Sequence, residues 1–168
     1  MRSLTLRVVE GQVRTEGTAS SRVDALLDRE SVVWLSSVRP DGRPHLIPIW
    51  FLWDGEAVLF ASKPQACKVA NLRANADCML AIGDPDLDFD VALIEARAEL
   101  AEMQTADLLA AGLQVKYRDR MRVAGLTPKI FAATYSQVVR IVPTRWLPWH
   151  GRSARPAWGG DLAVAAVG

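Results

Sequence analysis

The sequence predicts a mainly β protein, an antiparallel barrel with peripheral helices. Three observations lead to this prediction: short apolar runs are joined by hairpin turn signals, one helical segment follows the third run, and strands do not alternate regularly with helices. A chain of 168 residues fits one domain. We expect that domain over residues 21–150, with an arm over 1–20 and a tail over 151–168.

A peripheral helix is expected at the start of the domain. Ser21 is a candidate N-cap, and Val23, Leu26 and Leu27 form a short apolar stripe at helical spacing.

Three strands joined by turns are predicted next. Residues 32–38 form an apolar run that ends in a turn at 39–42, where proline presets the turn and glycine supplies a positive φ angle. The return run, 44–53, is apolar on both faces, so we predict one strand buried on both sides. A second subunit or a flat aromatic ligand would cover its outer face. Asp54–Gly55 signals a two-residue hairpin loop, and 57–62 is the third predicted strand.

One helix and two strands are predicted in the middle of the chain. The helix runs from Gln65 to Arg73 and carries Val69 and Leu72 on one face. Strands are expected at 78–83 and 90–103, although Ala, Glu and Leu make the C-terminal half of the second ambiguous between strand and helix.

The last third of the chain is predicted to contain two helices and a strand. Residues 105–121 carry apolar residues at helical spacing. Thr127 and Pro128 are the candidate cap and first residue of a shorter helix. A final strand is expected over 135–149.

Composition argues against several classes of protein. The 20 Lys and Arg against 19 Asp and Glu give no basic field of the kind that nucleic acid binding needs. No run reaches the roughly 20 apolar residues of a membrane span, and the first residues lack the apolar core of a signal peptide. We therefore expect a cytoplasmic protein. Cys67 and Cys78 have no histidine pair nearby, so neither a disulfide framework nor a metal site is expected.

Common catalytic motifs are missing, including GxGxxG, GxxxxGK[ST], GxSxG and HExxH. The chemistry is therefore expected to belong to a cofactor. The two histidines are His45 and His150. His45 is either a partly exposed strand residue or a group near a ligand, where it is a candidate proton donor.

Lys68 is a candidate phosphate ligand. It lies in the first turn of a predicted helix, where backbone N–H groups and the positive end of the helix dipole attract anions. The alternative is an ordinary surface lysine on an amphipathic helix. Hydroxyl, ammonium, thiol and amide groups nearby are further candidates for the same pocket: Ser62, Lys63, Gln65, Cys67 and Asn71.

The six tryptophans have two possible roles. As a group they are typical of a core and subunit interface, or of an aromatic cofactor site. An interface that encloses a planar ring would use the same residues: Trp34, Trp50, Trp53, Trp146, Trp149 and Trp158.

Three blocks of the sequence resemble a known family. They are VRPDGRPHLIPIWFLWDGE, FASKPQACKVANLRANAD and TPKIFAATYSQVVRIVPTRW, in that order. Together they resemble the pyridoxamine 5'-phosphate oxidase-like split β-barrel superfamily, and within it the deazaflavin (coenzyme F420)-dependent branch, over about residues 24–149. The resemblance implies a split β-barrel of the FMN-binding type. It also implies a homodimer with the cofactor in clefts between subunits, which would cover the doubly apolar run.

The resemblance also suggests which residues bind the cofactor. Lys68 matches the family's phosphate-binding lysine. Relatives commonly have arginine or another strong donor just before it, where this chain has Ala66 and Cys67, and Lys63 is the candidate to supply the missing charge. The resemblance places one segment near the ring system, Ile47, Pro48, Ile49 and Trp50, and another near the ribityl chain and phosphate, Ala61, Ser62 and Lys63.

The function implied by the resemblance is an F420-dependent oxidoreductase that transfers hydride to an unsaturated or conjugated small molecule. Such a protein binds and orients its cofactor and needs no nucleophile of its own. Two alternatives stay open: an FMN-dependent oxidase or reductase of the same fold, and a non-catalytic protein that binds flavin, haem or a tetrapyrrole. No residue identifies the substrate.

Overall fold

A computed structural model describes residues 18–84 and 90–149, with side chains over 22–84 and 90–147. Within these ranges one antiparallel sheet has the strand order β2-β1-β5-β6-β7-β4-β3. Its strands are β1 (Val33–Val38), β2 (Pro44–Ile49), β3 (Leu52–Trp53), β4 (Val58–Ser62), β5 (Asp77–Asp84), β6 (Asp90–Ala101) and β7 (Gln137–Trp149). The predicted antiparallel barrel with peripheral helices is therefore confirmed. The predicted arm falls largely outside the described residues, and His150, Trp158 and the rest of the predicted tail lie entirely outside them.

The helices of the described ranges are α1 (Thr18–Arg29), α2 (Cys67–Ala74), α3 (Thr105–Leu108), α4 (Gln114–Lys116), α5 (Arg118–Val123) and α6 (Pro128–Thr134), with a π-helical segment over Leu109–Leu113. Helix α1 already includes residues 18–20, so Ser21, the expected cap, lies within the helix. No helix of the described ranges is long and apolar enough to cross a membrane.

The long strand predicted over 44–53 is interrupted, and that prediction is wrong. Strand β2 ends at Ile49, and β3 begins at Leu52. The two strands are consecutive in the chain but lie at opposite ends of the sheet order. The chain therefore crosses from one sheet edge to the other at Trp50 and Phe51, and this crossing curls the sheet into a barrel that stays split between β2 and β3.

Tyr117 supplies the hydrogen bonds that the interrupted strand lacks. The backbone N–H of Phe51 donates to the Tyr117 hydroxyl at 2.8 Å. The hydroxyl lies 2.9 Å from the carbonyl oxygens of Phe51 and Ser31, either of which can accept its single proton. Lys116 adds a second link, since its ammonium donates to the carbonyl of Leu27 at 3.1 Å and lies 3.9 Å from the centre of the Phe51 ring.

Two apolar clusters lie on either side of this crossing. The first fills the barrel and includes the predicted faces of α1 and α2, with Val23, Val69 and Leu72 buried. The second lies between β4, β7 and the helices α3–α6. Its buried members are Leu59, Leu108, Leu109, Leu113, Tyr117, Met121, Phe131 and Val138.

Strand β6 resolves the ambiguous stretch at 90–103. It continues as a strand to Ala101, because it pairs with β5 and β7 on its two sides and these ladders outweigh the helical propensity of its residues. The β6–β7 register shifts between Glu95 and Ala96. Such an irregularity bends long strands and favours a coiled sheet.

Two turn and helix predictions need correction. Leu52 pairs with Leu59 and Trp53 with Val58, so the loop between β3 and β4 has four residues rather than two. The Asp54 carboxylate accepts from two backbone N–H groups in this loop, at 2.8 and 2.7 Å, which stabilises the longer turn. The single helix expected over 105–121 is broken at Gly112, whose φ of 141° is not helical.

Other local predictions are confirmed. The turn at 39–42 is closed by a hydrogen bond from the Gly42 N–H to the Arg39 carbonyl at 2.9 Å. The Thr127 hydroxyl caps α6 by accepting from the Ile130 N–H at 3.2 Å, and Pro128 is the first helical residue.

Replacement of Tyr117 by phenylalanine should destabilise the barrel. The ring remains, but the N–H of Phe51 loses its acceptor in a buried position, so we expect unfolding to become easier by about 1–3 kcal/mol. Urea denaturation, monitored by tryptophan fluorescence, measures the free energy of unfolding of the wild type and the variant. Tyr135→Phe is the matched control and should change stability by less than about 0.5 kcal/mol. Equal effects of the two variants would contradict the role assigned to the Tyr117 hydroxyl.

Candidate functional site

The start of α2 is an uncapped helix terminus. Its N-cap residue, Ala66, has extended backbone and no side-chain cap. The Ala66 N–H donates to the Lys63 carbonyl at 3.0 Å, whereas the N–H groups of Cys67 and Lys68 make no backbone hydrogen bond within the described residues. The helix begins after Gln65, its predicted first residue, because Pro64 and Gln65 form a turn. Free N–H groups at a helix start are suited to bind an anion.

Lys68 is the second residue of α2, and its side chain is half-buried. Burial lowers the pKa of its ammonium group, and the neighbouring Cys67 acts weakly in the opposite direction. Within the described residues its ammonium makes no ion pair with a carboxylate. A half-buried cation of this kind would be stabilised by a bound anion.

Asn71 connects α2 to the barrel. It is 1% exposed, and its side-chain amide donates to the Ser37 hydroxyl on β1 at 3.1 Å. Its amide oxygen lies 3.8 Å from the Cys67 sulfur. Asn71 therefore orients the helix that carries Lys68, and its amide is already engaged. Ser37 was not predicted, because the pairing joins residues 34 positions apart and leaves no local sequence signal.

The segment Ala61, Ser62 and Lys63 does not present one surface. Ser62 is buried, and its hydroxyl has no hydrogen-bond partner among the described residues. Ala61 packs against the second cluster on the opposite strand face, and Lys63 is exposed. A buried hydroxyl without a partner at the end of β4, just before α2, is compatible with a ligand nearby. Cofactor binding by these three residues stays a prediction.

The four residues predicted to lie near the ring system also separate. Ile47 and Ile49 point into the barrel, whereas Pro48 is exposed on the outer face. The Trp50 ring stacks on Tyr117 with 4.9 Å between centroids and belongs to the second cluster. They therefore do not form a continuous platform. Strand β2 lies at the end of the sheet order, which leaves one side of its backbone without a strand partner in the described sheet.

His45 lies on β2 directly opposite Ser37 and is half-buried. Its Nδ1 atom is buried and has no hydrogen-bond partner in the part of the chain that the structure describes. The residue is thus close to the pair formed by Ser37 and Asn71. Both readings, a strand residue and a group near a ligand, stay open.

The tryptophans are dispersed through the described structure. Trp53 and Trp146 meet edge to face with 5.9 Å between centroids, and Trp50 lies in the second cluster. Trp34 is 46% exposed on the outer face of β1, opposite Pro48. The side chain of Trp149 is outside the described part. Among the tryptophans whose side chains are described, Trp34 is the one positioned to contact a partner or a ligand on the outer face.

The two cysteines should differ in reactivity. Cys67 is exposed at the start of α2, whereas burial raises the pKa of the Cys78 thiol to about 12. The thiolate is the reactive form of cysteine. About one thiol per chain should therefore react with Ellman's reagent in the native protein at pH 8, and two in the denatured protein. Cys67→Ser should abolish the native reaction, and Cys78→Ser should preserve it. Equal rates for both thiols in the native state would contradict this assignment.

Comparison with known proteins gives a consistent family match. A family model described as pyridoxamine 5'-phosphate oxidase matches residues 19–150. No curated protein matches the sequence. Among solved structures, an F420 reductase is 25% identical with a TM-score of 0.62, over 73% of this chain and 94% of that chain.

Two further structures are similar in fold. The conserved hypothetical protein Rv2991 from Mycobacterium tuberculosis is 22% identical with a TM-score of 0.65, over 88% of this chain and 91% of that one. HutZ, a heme storage protein from Vibrio cholerae, is 15% identical with a TM-score of 0.59, over 79% of this chain and 96% of that chain. Since the family match spans most of a chain that folds as an antiparallel split β-barrel, this protein belongs to the pyridoxamine 5'-phosphate oxidase family.

Proposed function

We propose that the protein is an oxidoreductase that binds coenzyme F420 and catalyses hydride transfer to an unsaturated or conjugated small molecule. The observation that supports this most directly is the uncapped first turn of α2, where free N–H groups adjoin the half-buried Lys68. The 25% identity to an F420 reductase favours the deazaflavin over other cofactors of this fold.

A phosphate fits the residues at this turn. It would accept from the N–H groups of Cys67 and Lys68, benefit from the positive end of the helix dipole, and pair with the Lys68 ammonium. Neither Ala66 nor Cys67 adds a fixed positive charge. The exposed Lys63 is the nearest further cation in sequence, and in this proposal it contributes to the phosphate site.

The protein's own part in the reaction is to bind, orient and exclude water. When bound, the reduced deazaflavin supplies hydride from the central carbon of its ring. No nucleophile is required of the chain, and His45 is the residue on β2 that can move a proton near the site. Its unpartnered Nδ1 atom is compatible with this role.

The proposal includes a homodimer formed through the outer face of β1 and β2. Because Val33 and Leu35 are buried, Trp34 points outwards, and it lies opposite Pro48. Leu46 is 59% exposed on the same face. This apolar surface is suited to a second subunit, which would enclose a planar ring between the subunits.

FMN is the second candidate cofactor, because a phosphate site at α2 suits it equally and the matching family is described as pyridoxamine 5'-phosphate oxidase. Parallel fluorescence titrations with F420 and FMN separate the two. Tight binding of F420 supports the proposal, whereas micromolar binding of FMN without binding of F420 contradicts it. A chromophore with a haem spectrum in the purified protein would support the non-catalytic alternative.

Lys68→Ala should weaken the binding of the phosphorylated cofactor by about 1.5–3 kcal/mol, the scale of a charged hydrogen bond. Fluorescence titration measures the dissociation constant. Lys129→Ala, which removes another lysine near a helix start, is the control and should leave the constant unchanged. An unchanged constant for Lys68→Ala would refute the α2 phosphate site. Turnover is tested separately, by following the absorbance of reduced F420 with a panel of unsaturated acceptors.

Leu46→Glu should weaken the dimer, because it places a charge in the apolar outer face of β2. Light scattering should give twice the chain mass for the wild type and a lower mass for the variant at the same concentration. Val115→Glu is the matched control, since Val115 is 68% exposed and lies on α4, which is not part of the outer face of β1 and β2. A monomeric wild type would contradict the proposed dimer without affecting the phosphate site on α2.

A further inference from the structure

A groove of about 350 Å³ lies among the helices, on elements that the proposed cofactor site does not use. It is bounded by α4, by α5 and by the connection that leads into α6. Its volume is at the lower end of the range for small-molecule sites. The lining residues are Gln114, Arg118, Met121, Arg122, Gly125, Leu126, Thr127 and Pro128.

The groove combines an apolar wall with positive charge. Met121, Leu126 and Pro128 supply the apolar surface, and Met121 is a buried member of the second cluster. Arg118 and Arg122 are one helical turn apart on α5, so their guanidinium groups lie on the same side of the helix. The lining contains no carboxylate. Arg122 has one exposed ion pair with Asp119 at 3.5 Å, which is long and weak.

The backbone at the end of α5, beside the groove, is fixed by hydrogen bonds. Helix α5 ends in a Schellman motif: the Gly125 N–H donates to the Arg122 carbonyl at 3.1 Å, and the Leu126 N–H donates to the Met121 carbonyl at 2.8 Å. Gly125 has a φ of 65°, which suits glycine at this position. The Thr127 hydroxyl already caps α6. The side-chain donors that the groove offers to a ligand are the two guanidinium groups and the Gln114 amide.

We propose that this groove binds a small molecule that carries a carboxylate beside an apolar chain or ring. The planar guanidinium presents two parallel donors that match the two oxygens of a carboxylate. The apolar part of the ligand packs against Met121, Leu126 and Pro128. A phosphate is a poorer fit, because it has no apolar part to pack against the apolar wall of the groove.

The groove is connected to the rest of the molecule through the second cluster. Met121 is one helical turn after Tyr117, whose ring stacks on Trp50. A molecule bound in the groove would thus contact the second cluster, which also supports the crossing between β2 and β3. The proposal does not depend on the cofactor, since none of the residues at the start of α2 lines the groove.

The probe for this site is 4-phenylbutyrate, with the uncharged 4-phenylbutyramide as its matched control. Titration of the isotope-labelled full chain, followed by NMR, should shift backbone resonances within 114–128. The carboxylate should bind at least fivefold more tightly than the amide. Arg118→Gln and Arg122→Gln should each weaken carboxylate binding at least fivefold and leave amide binding within twofold of the wild type.

Two control variants test whether the effect is local. Arg43→Gln removes an exposed arginine on the turn after β1 and should leave binding within twofold. Lys68→Ala should do the same, which separates this site from the proposed phosphate site. Equal affinity for carboxylate and amide, equal weakening by Arg43→Gln, or shifts confined to α2 would overturn the proposal. So would tighter binding of inorganic phosphate or of a hexa-aspartate peptide.

Discussion

The barrel depends on the crossing at Phe51, and the hydroxyl group of Tyr117 stabilises that crossing by hydrogen bonds. At Phe51 the chain leaves one edge of the sheet before it joins the other, so its backbone has no ladder partner there. Tyr117 takes the place of that partner. Burial raises the pKa of its hydroxyl to about 12, so the group stays protonated and able to donate in alkaline solution as well as at neutral pH. Lys116 lies over the Phe51 ring and donates to the Leu27 carbonyl, so the inserted helices connect the crossing to the end of α1. The two apolar clusters meet at this point.

The position of the candidate phosphate site follows from that closure. Once the sheet curls, the end of β4 and the start of α2 lie against the end of the barrel, where Val69 and Leu72 enter the core. The Asn71–Ser37 hydrogen bond then fixes the rotation of α2. Val69 and Leu72 turn inwards, and Lys68 remains half-buried beside them. The site thus depends on a polar contact that is internal to the protein and separate from any ligand.

The sequence predicted turns and helix caps correctly where neighbouring residues determine them. It failed where contacts between residues far apart in the chain determine the structure. The turn at 39–42 and the Thr127 cap were predictable, because neighbouring residues determine them. The apolar run at 44–53 looked like one strand, because its interruption is stabilised by Tyr117, 66 positions from Phe51. Hairpin and helix patterns predicted the barrel and made Lys68 a candidate, and the family blocks agreed with both. Neither kind of signal could reveal the uncapped turn or Ser37.

The side chains of residues 47–50 point to different faces of the sheet, and this limits how a planar cofactor could bind. A ring on β2 would contact Pro48 and the open backbone edge, because Ile47 and Ile49 are inside the barrel and Trp50 is packed on Tyr117. Pro48 and the exposed Leu46 on the outer face of β2 can cover only one side of a ring. The proposed site therefore needs further apolar surface, and the outer face near Trp34 provides it only when a second copy covers it. In this proposal the phosphate is held by one subunit through Lys68, and the ring environment is completed by two.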